Sequence, residues 1–205
     1  VKKDISREDT AYIEENKMHL PGVHIKVEPL RSYVYKDFAA HTLGYLGEIS
    51  KDKLKRVAYS KYKLGEMVGK NGLESQYEFY LKGKKGFKEV EVDVSGRELR
   101  TLRKRSPEIG NSLILTLDFR LQKKLEELMN EISKTEPIEG SVVMMKVQTG
   151  EILAMVSKPS FDPNLFVSGI SNKQFSLLRD DPDRPLFNRA LTGQYPPGST
   201  IKPML

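Results

Sequence analysis

Cysteine is absent from all 205 residues. The chain therefore forms no disulfide and offers no thiolate to a metal, although this lack does not by itself assign a compartment. Histidine is nearly absent too: there are three, with no metal-ligand spacing among them. Neither a metal nor a cofactor is expected. No apolar run reaches the ~18 residues that a bilayer span requires, and no secretory leader pattern opens the sequence. Because the first residue is Val1, an N-terminal piece is expected to have preceded it.

What is present fits a folded chain of one large domain or two small ones. Basic residues are unevenly placed. Residues 1–110 carry 23 Lys and Arg against 17 Asp and Glu, whereas residues 111–205 carry 11 of each. A basic first half suits an anionic lipid face, an acidic polymer or an acidic partner, and equally an ordinary solvated surface. Its densest cluster, Arg103-Lys104-Arg105, is short and lacks interleaved aromatics, so nucleic acid is not expected as a partner.

The patterning predicts a mixed set of short elements. Ser6-Arg-Glu-Asp9 reads as a capping box. Val23, Ile25 and Val27 alternate with polar residues, as in a half-buried strand. Asp37 and Ser50 are candidate helix caps, the second helix running to about Tyr59. "LGEMVGKNG" reads as turns, followed by a helix near 73–82 that Gly83 stops. "FKEVEVDVSGRELRTL" reads as a hairpin turning at Ser95-Gly96, and Pro107 to Gly110 as a domain boundary. Beyond it "SLILTL" is an expected strand. Asp118 then caps a helix whose Leu121, Leu125, Leu128 and Ile132 form one face. "GSVVMMKV" and "EILAMVS" make a second hairpin around Thr149-Gly150, and a short helix is expected at 173–178.

Two motifs invite chemistry. Gly65-Glu-Met-Val-Gly69-Lys70-Asn71 has three residues between its glycines and Asn after the lysine. A phosphate loop needs four, and a hydroxyl for magnesium; this stretch is read as a turn. Ser-x-x-Lys occurs three times, from Ser50, Ser60 and Ser199. Residues three apart share a helix face, so the lysine can take the serine proton if it is kept neutral. The first two matches sit among other charges on solvated surface. The third follows Pro196-Pro197-Gly198, a rigid entry that would put Ser199 at a helix N-terminus, where free N–H groups favour an oxyanion. Pro203 conflicts mildly with helical geometry at Lys202. On spacing alone, an acyl-transfer nucleophile and a capped structural turn both remain open.

The wider sequence resembles the class B penicillin-binding proteins, most closely their elongation branch, penicillin-binding protein 2. The resemblance rests on ordered blocks along nearly the whole chain: "LPGV", "VEPLRSYVYKDFAAHTLGYLGEIS", "GKNGLESQYEFYLKGKKG", "EVDVSGRELR", "LTLDFRLQKKLE", "TGEILAMVSKPSFDPNLF", "PLFNRAL" and "YPPGSTIKP". It implies an α+β fold: a non-catalytic pedestal, or dimerisation-type domain, over 1–110, then the incomplete start of a penicillin-recognising serine transpeptidase domain over 111–205. It implies an enzyme that cross-links peptidoglycan stem peptides ending in D-Ala-D-Ala and is acylated by β-lactams. Ser199 would be the nucleophile, Lys202 its proton acceptor, and the Ser199 N–H half of the oxyanion hole. It also implies an extracytoplasmic location behind an N-terminal membrane helix, and contacts with the membrane glycan polymerase and elongation scaffold proteins.

The family's site further requires a Ser-x-Asn and a Lys-Thr-Gly, and neither triplet occurs in these residues. Thr149-Gly150 follows Gln148. The 205 residues alone are therefore expected to be inactive, the enzyme being the parent protein. The alternative reading is a non-catalytic module that docks the elongation machinery. Asn188 and Arg189 are expected to brace the approach to Ser199. Asp162 and Asn164 are expected to form a turn, and Glu74 and Arg97 are a possible pair.

Overall fold

Caps and turns decide most element boundaries in this chain. The computed structural model describes residues 5–20, 22–23, 25, 30–94, 98–167, 169–199 and 202. In chain order the elements are α1 (Arg7–Glu15), α2 (Ala40–Leu43), β1 (Leu46–Glu48), α3 (Lys51–Leu54), β2 (Met67–Gly69), α4 (Gly72–Gln76), α5 (Glu78–Leu81), β3 (Phe87–Val92) and β4 (Glu98–Arg105). They continue with α6 (Phe119–Ile132), β5 (Gly140–Met145), β6 (Ile152–Lys158), α7 (Asn164–Val167), α8 (Asn172–Arg179) and α9 (Arg189–Thr192). The mixed α+β class expected from sequence is the one observed. The strands pair as three antiparallel hairpins: β1–β2, β3–β4 and β5–β6.

The chain groups into two compact units. One holds Val1–Arg31 and Tyr77–Leu113; the other holds Ser32–Gln76 and Ile114–Leu205. A linear cut at 110 thus parts residues 32–76 from the segment they pack against.

In the first unit, Ser6 caps α1 by accepting the Asp9 N–H at 3.0 Å. β3 and β4 carry complementary charge: Glu89 lies opposite Arg103, and Glu91 opposite Arg100. Ion pairs join Arg100 to Glu91 and, at 3.8 Å, Arg103 to Glu89. The basic β4 is therefore partly neutralised by its own hairpin partner, an exposed arrangement worth little in stability. Asn111 ends α5 by donating its backbone and side-chain N–H groups to Tyr80 O, both at 3.1 Å. The strand expected at 23–28, the turn Ser95-Gly96 and Arg97 fall wholly or largely outside the described residues.

Two apolar clusters form among the described residues of the second unit. Ile49, Tyr59, Tyr62 and Val68, with Leu54, close over the β1–β2 hairpin. Ala40, Phe161 and Phe166 form the other, joined by Tyr45, Phe175 and Leu186 among others. Tyr45 stacks on Phe166 with centroids 4.0 Å apart, and Phe161 meets both rings edge-on. Gly44 makes the fold possible here: its φ is +83°, and a Cβ would lie 2.0 Å from Asn71 O.

Four expectations are corrected. "LGEMVGKNG" is not all turn, because Met67–Gly69 forms β2 against Leu46–Glu48; Lys70 donates to Glu48 O at 2.5 Å, within that hairpin. The helix near 73–82 is broken at Tyr77 into α4 and α5. Asp37 caps no helix: α2 starts after Ala39, whose φ is +49°, with no side-chain cap. "SLILTL" is not a strand among the described residues. Among the described residues it bonds to the β6 edge through Thr116 Oγ1 to Ile152 O, and Asp118 just beyond it donates N–H to Leu153 O, too little for a ladder.

Candidate active site

The second unit is organised around the outer edge of β6. Asp118 caps α6, its Oδ1 accepting the Arg120 and Leu121 N–H groups at 2.9 and 3.0 Å. The helix then turns a polar face inward. Its buried residues are Gln122, Glu126 and Met129, while Leu128 and Ile132 of the expected apolar stripe are exposed. The reason is the strand edge. Buried backbone groups demand partners, and Gln122 supplies both: its Oε1 accepts Met155 N–H at 2.8 Å and its Nε2 donates to Met155 O at 2.9 Å. Gln122 Nε2 also donates to Glu126 Oε1 at 2.7 Å, and that same oxygen accepts Ala39 N–H at 2.8 Å. Burial pushes the Glu126 carboxyl above its usual value, against the pull of these two donors.

Residues 33–42 lie along this seam. Asn164 clasps the Tyr33 backbone, its Oδ1 accepting Tyr33 N–H and its Nδ2 donating to Tyr33 O, both at 2.9 Å. Asp37 faces the buried Lys158 ammonium at 3.4 Å, and its carbonyl accepts Ser160 Oγ–H. Thr42 Oγ1 donates to Met155 O at 3.4 Å. His41 is 5% exposed, with Nε2 at 3.2 Å from Pro159 O. That carbonyl only accepts, so Nε2 carries the proton. Burial lowers the ring's pKa, aided by the charges of Arg189 and Lys158 and opposed by the carbonyls of Pro159 and Pro185. Nδ1 has no hydrogen-bond partner among the described residues.

The approach to Ser199 grows from the same seam. Asn188 Oδ1 caps α9, accepting Ala190 and Leu191 N–H at 3.1 and 3.2 Å, while its Nδ2 donates to His41 O at 3.2 Å. Arg189 N–H reaches Ser157 Oγ at 3.0 Å. The Arg189 guanidinium donates to Asp183 O at 2.7 Å, Arg184 O at 3.1 Å and Glu139 at 2.5 Å. At Gly193 an added Cβ would meet both Arg189 O and the Tyr195 ring at 2.5 Å. Only glycine lets Tyr195 fold back there. Pro196 and Pro197 then stiffen the path into Gly198, at φ +53°, and Ser199. Ser199 and Lys202 are both exposed and helical in the 3₁₀ sense; no hydrogen bond between them is formed among the described residues.

Two family profiles match the chain: the penicillin-binding protein dimerisation domain over residues 1–115, and the penicillin-binding protein transpeptidase domain over residues 140–205. The chain belongs to the penicillin-binding proteins. Its similarity to peptidoglycan D,D-transpeptidase MrdA of Acinetobacter baumannii is 42% identity over 204 residues, covering 100% of this chain and 30% of that protein. With MrdA of Escherichia coli strain K12 the identity is 39% over 207 residues, covering 99% and 32%. Among solved structures, a complex between PBP2 and MreC from Helicobacter pylori superposes with a TM-score of 0.75 at 34% identity, over 97% of this chain and 36% of that one. Pseudomonas aeruginosa PBP2 in complex with WCK 5153 gives 0.65 at 40% identity, over 85% and 33%. The chain thus spans about a third of the length of these relatives.

In this penicillin-binding protein Asn188 and Arg189, which the sequence suggested as braces, hydrogen-bond to His41 O and Ser157 Oγ. Asp162 and Asn164 do form a turn, with Asn164 N–H on Asp162 Oδ1 at 2.9 Å; the clasp of Tyr33 was not legible. Glu74 is buried and accepts the Tyr33 hydroxyl at 3.2 Å. His41, Gln122, Glu126 and Lys158 were missed. The one available signal was polar residues at 122 and 126, four apart on a helix read from its leucines.

Proposed function

We propose that this chain forms the first part of an elongation-type peptidoglycan D,D-transpeptidase, with residues 1–110 as its pedestal and 111–205 as the opening of its catalytic domain. One observation carries the reading: the segment matched by the transpeptidase profile contains Ser199-x-x-Lys202 behind a braced, proline-stiffened approach. Ser199 Oγ attacks the penultimate D-Ala carbonyl of a stem peptide as its proton passes to Lys202. The Ser199 N–H stabilises the oxyanion. Collapse breaks the D-Ala–D-Ala bond, and terminal D-Ala leaves with a proton. A neighbouring strand's amine then attacks the acyl-enzyme, forming the cross-link and restoring the Ser199 hydroxyl. A β-lactam enters the first step alone and remains as an acyl adduct.

The reaction belongs to the parent protein, on the extracytoplasmic, periplasmic face of the cytoplasmic membrane, held there by an N-terminal helix and serving cell shape. Among the described residues no helix is long and apolar enough to cross a membrane. The parent is expected to release D-Ala from a pentapeptide ending in D-Ala-D-Ala, and Ser199→Ala to abolish release. Undiminished release by that variant refutes the assignment. The 205 residues alone, lacking Ser-x-Asn and Lys-Thr-Gly, are expected to take up no penicillin.

A second reading is favoured by the Helicobacter pylori PBP2–MreC complex, in which a relative is seen with a partner. Residues 1–110 would act as the docking module for elongation scaffold proteins and the glycan polymerase. Binding assays with an MreC-type scaffold protein test it. Loss of binding on neutralising Arg103, Lys104 and Arg105 supports a basic docking face, and unchanged binding removes it.

A further inference from the structure

The two family profiles meet inside one compact unit. Residues 33–42 fall within the segment matched as dimerisation domain, yet they belong to the unit that holds the transpeptidase segment. One side chain joins them to the approach of Ser199. Asn188 uses its two ends differently: Oδ1 caps α9, and Nδ2 donates to His41 O. His41 is itself fixed, by its ring against Pro159 O and by Phe161 edge-on at 5.2 Å between centroids.

We infer that Asn188 is a positioning residue for the Ser199 nucleophile, setting the origin of its turn against residues 39–43. The inference rests on the transpeptidase reading above. Its physical basis is the stiffness of the path beyond α9. Gly193 N–H closes on Arg189 O at 3.2 Å, Tyr195 packs over Gly193, and two prolines follow. A rotation of α9 is therefore carried to Ser199 rather than absorbed by a loose loop. Acylation depends on sub-ångström placement of the attacking oxygen, so the Asn188–His41 bond governs rate more than affinity. It also makes part of the dimerisation-domain sequence a support of the catalytic turn.

Asn188→Asp separates the two ends. Aspartate caps α9 equally well but has no N–H for His41 O and turns a second acceptor toward it. Asn188→Ser is the milder partner, capping without reaching His41. The assay is the reaction of a fluorescent penicillin with the parent protein, resolved into the binding constant and the acylation rate constant. Met129→Ala, on the buried face of α6 away from this bond, serves as a control matched in melting temperature. Both Asn188 variants are expected to lose about tenfold in the acylation rate constant, with binding changed less than about twofold. Met129→Ala is expected to keep the wild-type rate constant. An unchanged rate constant in Asn188→Asp overturns the inference, and so does an equal loss in Met129→Ala, which would mean general loosening. If the wild-type parent takes no label at Ser199, the underlying reading falls and this inference with it.

Discussion

Replacing Gln122 by leucine tests the account of the β6 edge. Gln122 is fully buried and satisfies both backbone groups of Met155, at 2.8 and 2.9 Å, besides donating to Glu126 at 2.7 Å. Leucine is close in volume, so no large cavity forms. It leaves Met155 N–H with no partner. Met155 O keeps a long bond from Thr42, and Glu126 keeps Ala39 N–H. One orphaned buried donor costs about 1–3 kcal/mol, with a smaller loss at each of the other two groups. The sum is about 2–4 kcal/mol. At roughly 2–4 °C per kcal/mol for a unit of this size, the melting temperature of the parent should fall by about 4–16 °C. Lys123→Ala, exposed on the same helix, should move it by no more than about 0.5 kcal/mol. Calorimetry of the three proteins decides. A Gln122→Leu protein within about 1 kcal/mol of wild type would refute the idea that a polar helix face is needed to close this strand.

Other outcomes follow from the same seam. Asn164→Ala removes both bonds to the Tyr33 backbone and should cost about 1–3 kcal/mol by denaturant unfolding. His41 titrates below 6.5 when folded. As pH falls through 6.5 the unfolded chain takes a proton that the native ring refuses, so this contribution is intact above 6.5 and lost below it; His41→Gln should flatten that part of the stability–pH curve. Glu126 is raised above 4.5, so its buried charge costs stability at neutral pH and costs nothing once protonated. Glu126→Gln keeps an oxygen for Ala39 and Gln122 and should raise the melting temperature at pH 7 but not at pH 4. Gly193→Ala forces a Cβ within 2.5 Å of Arg189 O and the Tyr195 ring, and should slow penicillin acylation of the parent while costing about 1–3 kcal/mol.

Sequence patterns announced the local elements well. Ser6, Ser50 and Asp118 cap helices in the structure through side-chain oxygens that accept early N–H groups. The β5–β6 hairpin forms around Thr149-Gly150, where Gly150 takes φ +76°. These signals are local, and local chemistry decides them. What stayed hidden is the packing of residues 32–76 with the second half, because it runs through backbone groups that any sequence possesses. Asn164 holds both backbone groups of Tyr33, Glu126 takes the Ala39 N–H, and Asn188 donates to the His41 carbonyl. The inward polar face of α6 was misread for a related reason: apolar periodicity finds faces that avoid water, and this one answers a strand edge instead. Ser199 and Lys202 were legible as a motif, but spacing could not choose among three matches without the blocks around them.

The most direct measurement is mass spectrometry of the parent protein after exposure to a penicillin, digested and read peptide by peptide. The account predicts one intact penicilloyl adduct on the peptide containing Ser199, absent from Ser199→Ala and strongly reduced in Lys202→Ala. An adduct on another residue, or one that survives Ser199→Ala, would contradict it.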